Sequence, residues 1–300
     1  MKNSLLLVTH GLINNQDGLT LHPDLFLWEQ TLLKRKRRWF ASHPHNPLSL
    51  YAALVDKEPA HLLASKLTLS ASVKQYWIAS PYHAQLTRDA IRVMPEEILP
   101  WCEDDAAWMC ELLNPLLSEE GMKLEYMGAS LLLTCEKPLH ANPLSFADIT
   151  GNFLPNKHPA GEDAGHLMRL MSEIQMTLNQ SAAQHRRIRG DMDVHGLWFW
   201  GACKTEQDID WKPINIASKN PFLQAMIEPK DAKIIITEPE NLSHLVRQGS
   251  DLPKKVVLLG ENMMVCLNQT WLFHPRHQNW KTKNIRTEKE GLTFIQSSDH

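Results

Sequence analysis

No stretch of these 300 residues approaches the about 20 consecutive apolar positions that a bilayer-spanning helix needs, so a membrane is not an expected partner. The apolar start, Leu5-Leu6-Leu7-Val8, follows Lys2 but is cut short by Thr9-His10-Gly11, and does not read as a secretory leader. Cysteine is sparse. Cys102, Cys110, Cys135, Cys203 and Cys266 are scattered, odd in number and never in C-x-x-C spacing. That spacing excludes a compact thiolate zinc or redox pair and points to free thiols in a reducing cytoplasm. An excess of one charge is missing too: the formal net charge of -3 gives no general attraction to nucleic acid. Compact catalytic signatures are absent as well, with no G-x-G-x-x-G after a strand, no G-x-x-x-x-G-K-[ST], no G-x-S-x-G and no H-E-x-x-H.

What is present fits a globular chain, since 43% hydrophobic and 22% charged residues place it away from disorder. The length suits one large domain or two ordinary ones. A main α/β region over residues 1–203 and a smaller C-terminal α/β lobe over 204–300 are expected, separate or continuous, with the polar segment Lys204–Lys212 between them. The fold class reads as α/β, with α+β as the alternative, built on a mixed sheet flanked by helices.

Ser4–Thr9 and Val73–Ala79 read as strands. Leu25–Phe40 has helical spacing through Leu25, Trp28, Leu32 and Leu33 and carries a basic run, Lys34-Arg35-Lys36-Arg37-Arg38. That run reads as a solvated helix end, where positive charge suits the macrodipole; a nucleic-acid patch is the alternative, and nucleic acid is not an expected partner. Pro95–Leu117 reads as helical apart from Pro100, Lys123–Cys135 as a hairpin turning at Gly128, and Asn142–Pro159 as a loop. Asp163–Leu178 is amphipathic, with Leu167, Leu170, Met171, Ile174 and Leu178 at offsets of 0, 3, 4, 7 and 11. Further on come a strand (Lys233–Thr237), a helix (Glu240–Gln248) and two strands (Lys254–Leu259 and Met263–Leu267), then a polar, loosely held tail after Arg276.

Few residues have the chemistry of a site. His83 and Arg88 follow the second strand in Ser80-Pro81-Tyr82-His83-Ala84-Gln85-Leu86-Thr87-Arg88-Asp89. There His83 can shuttle a proton and Arg88 can hold a carboxylate or phosphate. The plainer reading has His83 capping the turn and Arg88 paired with Asp89. Arg186, Arg187 and Arg189 form an anion site with His195 or line a solvated helix end. Asp191-Met192-Asp193-Val194-His195 alternates as a divalent-ion site would, but reads equally as a polar loop; no metal and no cofactor are expected. Trp198 and Trp200, two apart in His195-Gly196-Leu197-Trp198-Phe199-Trp200-Gly201-Ala202-Cys203, stack on a ligand or, as the plainer reading has it, belong to the core. The candidate ligand set is His83, Arg88, Arg187 and His195, facing a small anion; no catalytic residue is assigned.

Glu173-Ile174-Gln175-Met176, then Arg187, Gly190 and Leu197-Trp198-Phe199-Trp200-Gly201, resemble blocks of bacterial phosphoglycerate mutase-like, Rpf E-type regulatory proteins. Trp77-Ile78-Ala79-Ser80-Pro81-Tyr82-His83 and Gly161–Ala164 resemble two further blocks, so the likeness spans roughly Trp77 to Gly201. The Trp run is also similar to part of the cofactor-independent phosphoglycerate mutases. That resemblance implies a metal-dependent, phosphatase-like core with a Ser or Thr nucleophile. The blocks that would carry such a core are missing: there is no N-terminal Gly-Asp-Gly, no Lys-Gly-x-Asp-x-x-Gly-His and no Thr-Gly-Asp-His-Ser. Ala202-Cys203 also replaces a Gly-Gly pair, which would strain a backbone needing positive φ there. The resemblance therefore implies a cytoplasmic protein without mutase activity, regulatory or small-anion binding. The alternative is an enzyme acting on a phosphorylated or carboxylated small molecule, its four site residues converging within about 10 Å.

Overall fold

The computed structural model describes residues 6–15, 18–42, 48–54, 57–64, 67–68, 70–88, 90–155, 159–181, 183–205, 216–218, 234–246, 252–260, 263–269, 280, 282 and 284–296. The chain divides into two compact units, Met1–Asp56 with Lys212–His300, and Lys57–Trp211. One crossing lies at the polar segment suggested by the sequence. The other, between residues 56 and 57, places the N-terminal part with the C-terminal lobe instead of within a continuous 1–203 region. Its cause is strand pairing: the first strand lies between two strands from beyond residue 230.

Elements are numbered along the chain. In the first unit, β1 (Leu6–Thr9) pairs in parallel with β12 (Ile234–Ile236) and β13 (Lys255–Leu259). β11 (Ile216–Ser218) adds in parallel, β14 (Met263–Asn268) and β4 (Lys36–Ala41) antiparallel, in the order β11-β12-β1-β13-β14-β4. Every residue of β1 and β13 is buried, as expected of strands covered on both faces. Leu7, Val256, Leu258 and Val265 share a core with Leu25, Leu242 and Trp280. The remaining elements are a hairpin, β2 (Leu12–Asn15) with β3 (Gly18–Leu21), and the helices α1 (Glu29–Leu32), α2 (Leu48–Leu54), α8 (Pro239–Val246) and α9 (Glu288–Gln296).

Two expectations are corrected in this unit. Leu25–Phe40 is not one helix: a 3₁₀ turn (Pro23–Trp28) and the four-residue α1 precede β4. The helical spacing ends at Leu33, before the basic run, and that run is carried largely by a strand. Arg35 donates to Pro253 O at 2.6 Å, while Arg37 and Arg38 lie over the rings of Trp280 and Phe294. Only Lys34 and Lys36 of the five are exposed. The described end of the tail, α9, is not loose either. α9 buries Ile295, stacks Phe294 on Phe40 at 5.8 Å and accepts a hydrogen bond from Lys255 Nζ at Phe294 O.

The second unit holds an antiparallel sheet in the order β10-β5-β9-β8, made of β5 (Gln75–Tyr82), β8 (Met122–Met127), β9 (Ser130–Cys135) and β10 (Gly196–Lys204). A small hairpin, β6 (Ala84–Leu86) with β7 (Ile91–Val93), follows β5. The helices are α3 (Pro59–Ala64), α4 (Glu103–Ser118), α5 (Phe146–Ile149), α6 (Ala164–Gln180) and α7 (Gln184–Arg189). α6 buries the five apolar residues read from its spacing, and the hairpin at Gly128 is β8–β9. The helix expected from Pro95 begins at Glu103, because Pro95 and Pro100 leave a 3₁₀ turn (Glu96–Ile98) before it. The expected loop at 142–159 contains α5, capped by Ser145 Oγ accepting from Asp148 N. The class is mixed α/β. Among the described residues no helix is long and apolar enough to cross a membrane.

Candidate functional site

The Trp strand β10 is the edge of the second unit's sheet, and its tryptophans are core residues. Trp198 and Trp200 project to one face; their indole N–H groups donate to Leu144 O at 2.8 Å and Ser80 Oγ at 2.9 Å. Each polar tip is thus satisfied where it is buried. Beyond Trp200 the ladder with β5 slips: Trp200 opposes Ile78 and Cys203 opposes Tyr76, leaving Gly201 and Ala202 out of register. This bulge resolves the strain expected from Ala202-Cys203, because only Gly201 takes a positive φ, +63°.

At the other end of β10 two of the four candidate residues meet. The rings of His83 and His195 are 4.6 Å apart, edge to face. His83 Nδ1 lies 2.8 Å from Asp193 O; a carbonyl only accepts, so Nδ1 carries the proton and Nε2 the lone pair. Ala84 N–H donates to His195 Nδ1 at 3.1 Å, which puts the proton of the neutral ring on Nε2. The backbone therefore sets opposite tautomers on the two rings. Burial lowers the His195 pKa, the neighbouring His83 lowers it further, and Asp193 opposes both. Arg88 and Arg187 are exposed, and no described bond ties either to the histidine pair. Asp89, the expected partner of Arg88, lies outside the described residues.

The other arginines of the basic cluster are consumed elsewhere. Arg186 and Asp105 are both fully buried, with Arg186 Nη1 2.8 Å from Asp105 Oδ2. Arg186 also donates to Met192 O and Pro100 O. The Asp105 carboxylate accepts from Arg189 Nη2 at 2.6 Å, from His185 Nε2 at 2.8 Å and from Cys102 N at 3.1 Å. Burial alone would raise its pKa; the bonds from Arg189, Cys102 and His185 outweigh that and hold it at about 2. This knot ties the start of α4 to α7. Asp105 escaped the sequence reading because the cysteine at the helix start hides a Cys102-x-x-Asp105 spacing that serine or threonine would have advertised. The alternating Asp191–His195 segment is likewise dispersed: Asp191 pairs with Arg189, Asp193 O with His83, and His195 with Ala84 N.

Sequence reasoning also missed a cleft of about 820 Å³ beside the β10 bulge. Its walls are the 139–143 and 160–162 segments, the residue before α3, Glu58, and the end of β10. Gln75 pins the first wall, accepting from Leu139 N at 2.7 Å and donating to Leu139 O at 3.1 Å. Gly161, at φ +118°, is obligatory, since a Cβ there would lie 2.1 Å from His140 O. Gly201 admits Pro59, which a Cβ would meet at 3.1 Å. Cys203 lines the cleft, but burial, reinforced by Glu58, pushes its pKa up to about 11, so the group stays a thiol.

The metal-dependent core implied by the mutase resemblance finds no matching donors among the described residues. Among the described residues, the group that could converge on an ion is His22, Asp24 and Glu240. His22 Nδ1 already accepts from Asp24 N at 3.3 Å, and its Nε2 faces Glu240 Oε1 at 3.9 Å. One imidazole among carboxylates, with its lone pair engaged, does not fit such a core.

No family model matches the chain and no curated protein matches it. Among solved structures it is similar to the PH0037 protein from Pyrococcus horikoshii, with a TM-score of 0.42 and 10% identity over 100% of this chain and 99% of that one. It is also similar to the cofactor-independent phosphoglycerate mutase from Thermoplasma acidophilum, with a TM-score of 0.34 and 10% identity over 97% of this chain and 98% of that one. The overall likeness to a phosphoglycerate mutase is thus weak.

Proposed function

We propose that this chain is a cytoplasmic, phosphoglycerate mutase-like protein of the Rpf E-type regulatory group that binds a small anion and has no mutase turnover. The observation that supports the reading is the His83–His195 pair. Its neutral tautomers carry one Nε2–H and one Nε2 lone pair, so uptake of one proton makes both Nε2 atoms donors and adds a positive charge. Two imidazole donors with one charge suit a carboxylate or phosphate. Asp193 limits the attraction.

Titration of inorganic phosphate and 3-phosphoglycerate into the purified protein, followed by NMR of the imidazole resonances, tests this. Saturable shifts at His83 and His195, stronger near pH 6 than near pH 8 and lost in His83→Gln, are expected for ~one proton taken up by the pair. Binding that ignores both histidines overturns the anion site. A robust manganese-dependent turnover of 3-phosphoglycerate sinks the non-mutase reading and favours an enzyme on phosphorylated small molecules.

A further inference from the structure

We propose that the His83–His195 pair is also an acid-sensitive latch, which holds β6 against the segment entering β10 and releases it when His195 takes up a proton. The latch shares its residues with the anion reading but needs no ligand, so each stands if the other fails.

Two bonds of opposite polarity make the latch. Ala84 N–H donates to His195 Nδ1 at 3.1 Å, and His83 Nδ1 donates to Asp193 O at 2.8 Å. His83 keeps its Nε2 lone pair, so a proton arriving there leaves the Asp193 bond in place. His195 has no such reserve. Its vacant position is Nδ1 itself, and the imidazolium would set one N–H against the N–H of Ala84. A proton on His195 and the Ala84 bond therefore exclude one another.

The surroundings keep the latch closed at neutral pH. Burial lowers the His195 pKa from its ordinary 6.5, a charge on His83 lowers it further, and Asp193 opposes both. The other elements around the pair bring little charge to bear. β6 has no charged residue, and Arg92 of β7 donates to Gly151 O at 3.3 Å. Arg88, in the turn after β6, is exposed, and Arg189 pairs with Asp191 at 2.7 Å. Tyr82, opposite Gly196, stays neutral because burial pushes its pKa up to about 12.

A latch also needs a part that can move. β6 leaves Gln85 and Leu86 exposed, whereas β7 buries Val93 and is bonded to the 152–154 segment through Val93 N to Asn152 O and Leu154 N to Ile91 O. Below pH 6.5 the released ring gains a proton that the latched ring refuses, so the closed state weakens as pH falls.

Imidazole nitrogen NMR and amide hydrogen exchange of the full chain test this between about pH 8 and about pH 5, in buffers free of phosphate and carboxylates. Expected is a His195 ring protonated on Nε2 alone while the Ala84 amide is protected. Below pH 6.5 the Ala84 protection factor should fall by up to about tenfold per pH unit, as one linked proton requires, while Val93 and Leu154 keep theirs. His195→Asn offers an acceptor near the Nδ1 position that does not titrate, and should make Ala84 protection independent of pH. His83→Asn, which can keep a donor to Asp193 O, should move the fall to higher pH by removing the neighbouring charge. Ala84 protection that ignores pH in the unaltered chain, a pH response that survives in His195→Asn, or loss of Val93 and Leu154 protection together with Ala84 would each overturn the latch.

Discussion

Arg37 and Arg38, in the unit formed by residues 1–56 and 212–300, lie over aromatic rings at 4.5 Å from Trp280 and 4.4 Å from Phe294. Arg186, in residues 57–211, is enclosed and meets a carboxylate at 2.8 Å. Both solutions place a guanidinium inside the molecule, but their energetics differ. At a ring face the half-buried Arg38 keeps water on one side, so its stack contributes modestly, whereas burial lowers the Arg37 pKa to about 10. An enclosed ion network is costly to desolvate and nearly balanced when intact, yet severe when broken, because the surviving charge has nowhere to go. The first unit therefore distributes its stability over apolar strands, while the second concentrates part of it in Asp105.

The comparison can be broken most sharply at that carboxylate. Asp105→Ala should cost about 3–5 kcal/mol, since it leaves the Arg186 guanidinium buried without its acid. Urea unfolding, with hydrogen exchange read in peptides of 57–211, measures it; a cost under about 1 kcal/mol would remove the contrast between the units. Acid should reach the same group without mutation. The folded pKa of Asp105, about 2, lies below its ordinary value, so its contribution is fully present above about pH 4 and is lost as pH falls toward 2. That amounts to about 2 kcal/mol, and the Asp105→Ala protein should lack this acid-labile component in the same pH titration.

Smaller effects sharpen the contrast. Trp200→Phe removes the indole donor to Ser80 Oγ and leaves that hydroxyl buried, for about 1–2 kcal/mol in denaturant unfolding. Arg38→Ala in the first unit should cost only about 0.5–1 kcal/mol. A larger loss at Arg38 would show that its stack on Phe294 holds α9 in place, and exchange protection of α9 would report it.

The elements legible in the sequence were those whose burial follows one local period. α6 declares its face through five apolar residues, the β8–β9 hairpin turns at its glycine, and β13 carries the apolar run Val256–Leu259. β4 was misread because its arginines look solvated until Trp280 and Phe294, more than 240 residues away, are brought over them. Of the candidate site, His83 and His195 were legible as chemistry-bearing residues flanking strands, but their encounter was not. Arg186 and Arg189 looked like free cations for the same reason, since nothing near them in sequence names Asp105 as their acid.

By itself, the sequence determined the mixed α/β class, the apolar strands and the amphipathic helix, all of which depend on spacing along the chain. Only the tertiary structure decided which cations are free and which are spent, which tautomer each histidine holds, and where a bulge and two glycines open a cleft. Those outcomes depend on partners far apart in sequence. Burial and pairing there are set by strand topology, as when Asp193 O, 110 residues on, fixes the proton of His83.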